Sequence, residues 1–443
     1  MHHPRKIYRF KDFIENISRR NSGNIKYDLD RIHLILNRMG NPEKKLRGFH
    51  IGGTNGKGSI SAMCEALCLS HDWQTGMNTS PHLIDYRERF RINGKNITAG
   101  ALISSYNSWS NLFEETEASF FEITTAIAFD YFSQLDLHTS IFEVGLGGRL
   151  DATNPFKATV SIISSISIDH PQTLGDTIEK IAFEKAGIIK KNVPLVLGQL
   201  PSSALEVISR VAREREAPVF CYGRDFQAEN VRITNEATSF DFINRNEDIG
   251  LPERITGLQT NLVGNHQALN TSIALSAFAL YCQKLNLEPD LTLISKALTR
   301  INWRGRMQIV GKEPLTILDC AHNEEGIISL VSNLKQLFPG KRLKIILAIL
   351  RDKNIDLMIS ALSDIAGKLY ISRNNSDRAA NIEEQTAAAR KYGLEFSTEI
   401  DINSALDHAV SESGKDDIII VTGSIYTVSE IIARSPQRIL KKV

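Results

Sequence analysis

Long apolar runs and an excess of charge of one sign are absent from this 443-residue sequence. No run of about 18 apolar residues occurs, and the first residues have no apolar core of signal-peptide length. The formal net charge is +1, with acids and bases interspersed, which excludes an electrostatic footprint for nucleic acid or an anionic membrane. We therefore expect a soluble, cytoplasmic protein that binds neither nucleic acid nor membrane.

Paired cysteines are also absent. The five cysteines are scattered and odd in number, which argues against a disulfide framework. Cys64 and Cys68 lie one helical turn apart, but no second Cys or His pair is near, so we expect buried helix positions rather than a metal site. Internal repeats and low-complexity tracts are missing too, and the length predicts two or three domains.

A glycine-rich loop at 52–59 (GGTNGKGS) is the clearest chemical signal in the sequence. An apolar stretch, 49–51, leads into it, and a helix-like stretch, 59–69, follows. Strand, glycine-rich turn and helix N-terminus form a cradle in which backbone N–H groups converge on phosphate oxygens. The match to G-x-x-x-x-G-K-[ST] is imperfect, because the first glycine is missing and an extra one follows the lysine. A purely structural turn is the alternative interpretation.

Two other predicted strands also end on polar residues. Strand 140–144 carries Glu143 before the run 145–149 (GLGGR), and the apolar stretch after strand 158–163 ends at 169–170 (DH). Ligands of open parallel sheets bind at the carboxyl ends of the strands, so these segments and the phosphate loop are predicted to converge. A carboxylate in that position suits magnesium, although a solvated strand-end acid is the alternative.

The coarse pattern predicts an α/β protein with two domains, 1–297 and 298–443. Before the boundary, helices are predicted at 10–45, 59–69, 121–135, 177–189, 204–215 and 262–285, strands at 49–51, 76–78, 140–144, 158–163 and 194–197, and a β-rich region at 219–260. After it, strands are predicted at 315–319, 343–348, 369–372 and 418–421, with a helix at 326–338, another through 365, helical segments to 408 and a last helix. The second domain is therefore predicted to be a doubly wound α/β module.

With these segments placed, the sequence resembles the folylpolyglutamate synthase and dihydrofolate synthase family of the Mur ligase superfamily. The likeness lies in 53–59 (GTNGKGS), 79–83 (TSPHL), 143–154 (EVGLGGRLDATN), 169–170 (DH), 184–187 (EKAG), 266–270 (HQALN), 303–306 (WRGR) and 319–323 (DCAHN). These segments span nearly the whole chain in the family's order, and lysine-glycine-serine is the family's normal form of the loop. The implied fold is a P-loop-type ATPase domain with a parallel sheet, joined to a smaller Rossmann-like C-terminal domain, with the active site between them.

The resemblance implies an ATP-dependent amide ligase. ATP phosphorylates the carboxylate of a folate or dihydropteroate, and the amine of L-glutamate then displaces phosphate from the acyl phosphate. Catalysis would depend on positioning and on stabilisation of negative charge. The implied cofactor is Mg²⁺, with ATP as co-substrate, K⁺ as a further candidate ion, carbamylation of Lys185 and a monomeric state.

The resemblance also assigns residues to roles. It assigns ATP binding to Gly56, Lys57, Gly58, Ser59, Asn270, Arg306 and Asp319. It assigns metal binding to Ser80, Glu143, His170 and Lys185. Folate or pteroate binding falls to Phe120, Phe121, Glu122, Leu150, Asp151 and Ala152, and glutamate binding to Asp319, His322 and Ser424. Lys57, Lys185 and His322 are assigned to catalysis.

Simpler interpretations stand beside these roles. A lone histidine such as His170 is more often a core residue, and imidazole is not the donor that magnesium prefers. Lys185 can be a surface ion pair and Arg306 an interdomain salt bridge, and the two phenylalanines can be ordinary helix-start packing. The family usually has glycine and proline where Cys320 and Glu324 stand, which leaves the fine geometry of that loop open.

Two other functions compete with the folate ligase. One is a Mur-type amino-acid ligase that acts on a nucleotide-linked peptidoglycan precursor, although the segment 146–151 (LGGRLD) favours the folate branch. The other is a nucleotide-binding regulator without ligase chemistry. A regulator would have no need of Glu143, His170 and Arg306.

Overall fold

The computed structural model describes residues 6–20 and 28–434, which divide into two compact units. The first unit takes in the chain up to Glu229, Asp241–Leu258 and Leu269–Asn302, and the second takes in Asn230–Phe240, Gln259–Ala268 and the chain from Trp303. The two units are thus interleaved in sequence, whereas the predicted division cuts the chain once, between 297 and 298.

The first unit contains an eight-stranded sheet that is parallel through most of its width. Its strands are β1 (Gly48–Gly52), β2 (Thr75–Asn78), β3 (Phe90–Ile92), β4 (Lys95–Asn96), β5 (Thr139–Glu143), β6 (Val160–Ile163), β7 (Leu195–Leu197) and β8 (Val219–Cys221), in the order β4-β3-β2-β5-β1-β6-β7-β8. The pairs β2–β3 and β3–β4 are antiparallel, so the sheet is mixed rather than purely parallel. The β3–β4 pair is closed by a two-residue hairpin turn, in which Asn93 and Gly94 have φ values of +51° and +74°.

Ten helices accompany this sheet in the described chain. They are α1 (Phe10–Ser18), α2 (Asp30–Arg38), α3 (Lys57–Ser70), α4 (Ala99–Glu115), α5 (Phe120–Ser133), α6 (Pro171–Leu174), α7 (Ile178–Ala186), α8 (Ser202–Glu214), α9 (Asn265–Lys284) and α10 (Leu291–Leu298). Helix α9 begins in a range that belongs to the second unit.

The prediction of a helical stretch at 10–45 was wrong in its continuity. The described part consists of α1, α2 and a short 3₁₀ turn at Pro42–Lys45, and residues 21–27 of the stretch lie outside the described residues. Asn41 has a left-handed φ of +55°, which ends the helical geometry before the proline. Helix α4 was missed because its serines and asparagines have weak helix propensity.

The region between β8 and α9 is β-rich, as predicted. Strands β9 (Phe226–Ile233), β10 (Thr238–Asn244) and β11 (Arg254–Thr260) form a three-stranded sheet in the order β11-β10-β9.

The second unit contains a six-stranded sheet. Its strands are β12 (Gln308–Lys312), β13 (Leu315–Leu318), β14 (Leu343–Leu347), β15 (Ala366–Ile371), β16 (Phe396–Thr398) and β17 (Ile418–Thr422), in the order β12-β13-β17-β14-β15-β16. Its helices are α11 (Glu324–Leu337), α12 (Ile355–Leu362), α13 (Ile382–Lys391), α14 (Ile402–Ser411) and α15 (Ile425–Arg434). All strand pairs are parallel except β12–β13. The doubly wound module is therefore confirmed, but the two short edge strands β12 and β16 were missed.

None of the helices in the described ranges combines the length and the apolar character that crossing a membrane requires.

Candidate active site

The loop between β1 and α3 owes its cradle shape to two glycines with left-handed backbone. Gly53 has a φ of +134°, and Gly56, the residue before the first turn of α3, has a φ of +88°. A Cβ atom at Gly53 would lie 2.0 Å from Ser164 Oγ, so a side chain does not fit there. The first N–H groups of a helix have no intrahelical acceptor, so a loop that opens α3 in this way is suited to bind phosphate oxygens.

Two lysine ammonium groups meet at one carbonyl oxygen of this loop. Lys57 Nζ donates to the Gly53 oxygen at 3.0 Å, and Lys185 Nζ from α7 donates to the same oxygen at 2.8 Å. Lys185 is 5% exposed, so it is not the surface residue of the simpler interpretation. Burial, and then the Lys57 charge, lowers the pKa of Lys185 to about 7, while Asp169 and Asp151 act in the opposite direction.

The loop after β6 is hydrogen-bonded to the phosphate loop. Ser165 accepts the backbone N–H of Asn55 at 3.0 Å, and Ser164 donates to the Asn55 carbonyl oxygen at 2.6 Å. The hydroxyl of Thr54 accepts the backbone N–H of Ser167 at 3.1 Å. Sequence reasoning missed these serines, although small polar residues directly after a predicted strand were the available signal.

Glu143 and Ser80 are brought together by the order of the strands. Glu143 is the last residue of β5 and pairs in register with Ile51 of β1, so it lies beside the start of the phosphate loop. Ser80 follows β2, the other neighbour of β5, and its backbone N–H donates to Glu143 Oε2 at 3.0 Å. Glu143 is 5% exposed, so its carboxylate is held in a defined position rather than solvated.

Asp169 and His170 lie beyond the end of β6, on the other side of β1. The backbone N–H of His170 donates to Asp169 Oδ1 at 3.0 Å, and His170 Nε2 lies 3.8 Å from Asp169 Oδ2. His170 has a left-handed φ of +52° where α6 begins, and such strained backbone tends to occur at functional sites. The backbone N–H of Ser167 is bonded to Thr54, so this segment lies beside the phosphate loop. The Asp169 charge opposes the lowering of the Lys185 pKa.

The magnesium ion that the resemblance implies fits these donors if the nucleotide supplies most of its ligands. No group of three or more His, Cys, Asp or Glu side chains in the described part of the chain could hold a metal by itself. Magnesium usually keeps several waters and binds through one or two carboxylates together with substrate phosphates. The buried carboxylate of Glu143, which accepts the backbone N–H of Ser80 beside the phosphate loop, matches that pattern.

Asn270 lies against the same cradle. A Cβ atom at Gly56 would lie 2.7 Å from Asn270 Oδ1, so the amide of this α9 residue is in contact with the loop. Asn270 is buried, as are Gly58 and Ser59 in the first turn of α3. The predicted nucleotide residues of the first unit are therefore close together in space.

The aromatic residues predicted to bind the acceptor begin α5 and are half-buried. A Cβ atom at Gly145 would lie 2.4 Å from Phe121 Cζ, so the Phe121 ring packs on the glycine run that follows β5. The Phe120 ring makes an edge contact with Tyr86, at 5.6 Å between centroids, and the Arg89 guanidinium lies 5.1 Å from its centroid. Phe121 therefore borders the loop that follows the predicted magnesium ligand Glu143, whereas Phe120 borders the segment that contains Tyr86 and Arg89.

Two carboxylates predicted to contact the acceptor are already bonded within the protein. Glu122 forms an ion pair of 2.7 Å with Arg31, in which both side chains are less than a tenth exposed. Asp151 is buried and accepts backbone N–H groups of its own loop at 2.9 and 3.0 Å, and burial raises its pKa. Its neighbours Leu150 and Ala152 are half-buried and buried, respectively. The acceptor roles of Leu150, Asp151 and Ala152 stay predictions, whereas the Glu122 carboxylate is already engaged by Arg31 and is poorly placed for its predicted role.

In the second unit, Asp319 joins two segments of backbone. Its carboxylate accepts the N–H of Met307 at 2.9 Å and the N–H of Ala321 at 2.8 Å. Burial raises the pKa of Asp319, and the Arg306 charge opposes that rise. Because Met307, the residue after Arg306, donates to the Asp319 carboxylate, the backbone at Arg306 lies close to this loop. His322 Nδ1 lies 3.0 Å from a backbone oxygen of the same loop, which places a proton on that nitrogen. The predicted cluster of Arg306, Asp319 and His322 therefore lies at the loop after β13.

Ser424 is fully buried at the start of α15. Its hydroxyl accepts Asn374 Nδ2 at 3.1 Å and the backbone N–H of Thr427 at 3.1 Å, and lies 2.7 Å from Thr427 Oγ1. Its assignment to glutamate stays a prediction. Asn374 was missed because it follows β15 in a polar loop without a recognisable motif.

Comparison with known proteins places the chain in a family. Residues 51–278 match the family described as "Mur ligase middle domain", and residues 305–425 match "Mur ligase, glutamate ligase domain". A dihydrofolate synthase/folylpolyglutamate synthase of Bacillus subtilis (strain 168) is 34% identical over 419 residues, which cover 93% of this chain and 95% of the relative. The chain belongs to the folylpolyglutamate synthase/dihydrofolate synthase family of Mur ligases.

Solved structures of this synthase family have the same fold. A Mycobacterium tuberculosis folylpolyglutamate synthase complexed with ADP superposes with a TM-score of 0.89, at 28% identity, over 96% of this chain and 98% of that one. E. coli FolC in complex with DHPP and ADP superposes with a TM-score of 0.86, at 27% identity, over 98% and 100% of the two chains. The family assignment favours the folate ligase over the peptidoglycan ligase and over a regulator without ligase chemistry.

Proposed function

We propose that the chain joins L-glutamate to the carboxylate of a folate or of dihydropteroate at the expense of ATP. The observation that carries the proposal is the convergence of the phosphate loop, its lysine pair and the buried Glu143 at the carboxyl ends of neighbouring strands. The relatives described above are folate ligases by name, and two of their structures hold ADP.

The reaction has two displacements. An oxygen of the acceptor carboxylate attacks the γ-phosphorus of ATP, the bond to the β-phosphate oxygen breaks, and ADP leaves. The amine of glutamate then attacks the acyl carbon, the C–O bond to phosphate breaks, and inorganic phosphate leaves with that electron pair. The amine gives up a proton as the amide forms.

The residues of this chain serve these steps mainly by holding charge in place. Lys57 and the N–H groups of α3 are suited to bind the β- and γ-phosphates, since charge develops on their oxygens in both steps. Arg306 can bind phosphate in a bidentate manner, and Asp319 and His322 are proposed to orient the incoming glutamate. Phe121 can stack on the pterin ring of the acceptor.

Magnesium would be held by Ser80, Glu143 and His170, together with the nucleotide. When bound, it neutralises negative charge on phosphate oxygens. Glu143 is suited to this task because its position is fixed by the N–H of Ser80.

Lys185 is proposed to be carbamylated. Its neutral amine would attack carbon dioxide and lose a proton, which converts a buried cation beside Lys57 into an anionic oxygen ligand. Burial and the Lys57 charge, which together lower the pKa of Lys185 to about 7, make the neutral amine accessible near pH 7. A carbamate signal in ¹³C NMR of the protein in labelled bicarbonate, absent from Lys185→Ala, is the expected result. Small carboxylates are expected to restore part of the activity of that variant.

Three further expectations stay predictions: dependence on K⁺, a monomeric state and a cytoplasmic location. Activity with Na⁺ in place of K⁺ and sedimentation of the purified chain test the first two.

Phosphate release tests the proposal. We expect release to require both L-glutamate and an acceptor, and product masses to increase by one glutamyl residue. Dihydropteroate and a reduced folate are offered separately, which determines whether one or both are accepted. A nucleotide-linked peptidoglycan precursor is the third acceptor. Phosphate release that occurs only with that precursor, or phosphate release at the same rate with and without any acceptor, would contradict the proposal.

A further inference from the structure

The buried ion pair between Arg31 of α2 and Glu122 of α5 has more hydrogen bonds than an ordinary surface pair. Arg31 Nε lies 2.9 and 2.8 Å from the two carboxylate oxygens of Glu122, and Arg31 Nη2 lies 2.7 Å from one of them. The two side chains are 6% and 9% exposed. This is the planar, two-pronged geometry that only arginine provides.

The carboxylate of Glu122 is also the second half of a capping box. It accepts the backbone N–H of Ser119 at 2.9 Å and the Ser119 hydroxyl at 2.5 Å. Together with Arg31, these donors engage both oxygens of the carboxylate. Glu122 is therefore poorly placed to accept hydrogen bonds from a pterin ring, contrary to its predicted role.

Arg31 has a second bond, to the turn that precedes α5. Arg31 Nη1 donates to the carbonyl oxygen of Glu117 at 3.1 Å, and Glu117 has a left-handed φ of +51°. A single guanidinium group thus fixes both the turn before the helix and the third residue within it. Between these two points lie Phe120 and Phe121.

The directions of the two rings follow from this arrangement. Phe120 faces Tyr86 and Arg89, and Phe121 packs on Gly145. A change in how α5 begins would turn both rings away from these contacts, because the first turn sets their Cα–Cβ directions.

We infer that Arg31 is a positioning residue for the acceptor site, acting through Glu122 on the aromatic first turn of α5. The inference rests on the proposed function, since it takes the acceptor to be a flat aromatic ring. Arg31 itself touches no substrate in this account. It should therefore affect the binding of the acceptor without affecting the binding of ATP.

Three variants test the inference. R31K keeps the positive charge but loses the planar, two-pronged donor geometry of the guanidinium group. R31M/E122L removes both charges of the pair, so that no uncompensated charge is left buried. R38K is the matched control, because Arg38 is also on α2 and forms an ion pair of 2.6 Å with Glu115, but both side chains are about half exposed or more. Melting temperature, acceptor binding by calorimetry, and KM for acceptor, ATP and glutamate are measured for each.

We expect R31K to raise Kd and KM for the acceptor by about tenfold or more, with KM for ATP unchanged, because small misplacements of binding groups are costly. R31M/E122L is expected to melt near the wild type and yet to bind the acceptor as poorly as R31K. R38K is expected to resemble the wild type throughout.

Two results would overturn the inference while leaving the proposed function intact. One is acceptor binding by R31M/E122L that equals that of the wild type. The other is an equal rise of all three KM values in R31K, which would indicate general damage. If the wild type bound and ligated no folate or pteroate acceptor, the proposed function itself would be wrong, and the inference with it.

Discussion

Replacing Lys57 by methionine should change the protonation of Lys185 as well as abolish ligation. The two ammonium nitrogens lie 3.0 and 2.8 Å from the same Gly53 oxygen, so they are no farther apart than the sum of those distances. At about 6 Å and an effective dielectric constant of about 20, two unit charges repel each other by about 3 kcal/mol. Loss of this repulsion should raise the pKa of Lys185 and shift its protonation equilibrium by about a hundredfold.

The assay is a pH titration of the ligand-free, unmodified protein by NMR with ¹⁵N-labelled lysine. Lys185→Met identifies the signal, and the wild-type midpoint is expected near the pKa of about 7 that burial and Lys57 impose. Lys57→Met should move the midpoint upward. Lys180→Met, an exposed position on the same helix, serves as the control and should leave it unchanged. An unmoved midpoint in Lys57→Met would refute the shared-carbonyl geometry.

Three other substitutions have defined outcomes. Gly56→Ala should weaken ATP binding in a calorimetric titration. Gly223→Ala should not, because Gly223 has nearly the same φ but no atom of the described chain, apart from its sequence neighbours, lies within 4 Å of the position that a Cβ atom would take. Equal affinities of the two variants for ATP would contradict the steric argument. Gly145→Ala should raise KM for the acceptor, because the added methyl group would meet the Phe121 ring at 2.4 Å; an unchanged KM would separate that ring from the site. For His266, burial lowers the pKa from 6.5 to about 4, so the unfolded chain binds more protons between those values. The free energy of unfolding should then fall as the pH falls through that window, by at most about 3.4 kcal/mol. His266→Gln should reduce this pH dependence, measured by urea unfolding at several pH values; an unchanged pH dependence would show that the histidine does not contribute.

The sequence was most informative where a polar residue stands at the carboxyl end of a predicted strand. A parallel sheet brings strand ends together, so the pattern of strands alone predicts that the phosphate loop and Glu143 lie at one edge. The register of β1 with β5 then places Glu143 opposite Ile51. The mixed edge of the sheet was not foreseen, although the turn residues Asn93 and Gly94 are typical of a tight hairpin.

Contacts between distant segments were not predictable in the same way. Arg31 lies in an amphipathic helix, where an arginine usually faces solvent, and its partner Glu122 is 91 positions away. Neither residue type nor spacing indicates such a pair. The same limitation explains why Glu122 was assigned to the acceptor: a carboxylate beside two phenylalanines suits a pterin, and only the structure shows that the carboxylate is already engaged.

The fate of the oxygen atoms of the acceptor carboxylate tests the proposed reaction most directly. If ATP phosphorylates that carboxylate, one of its oxygens leaves with the phosphate when the glutamate amine attacks. An acceptor labelled with ¹⁸O in the carboxylate should therefore give inorganic phosphate that carries one ¹⁸O atom for each amide bond formed. Unlabelled phosphate, formed together with the glutamyl product, would contradict the acyl-phosphate route.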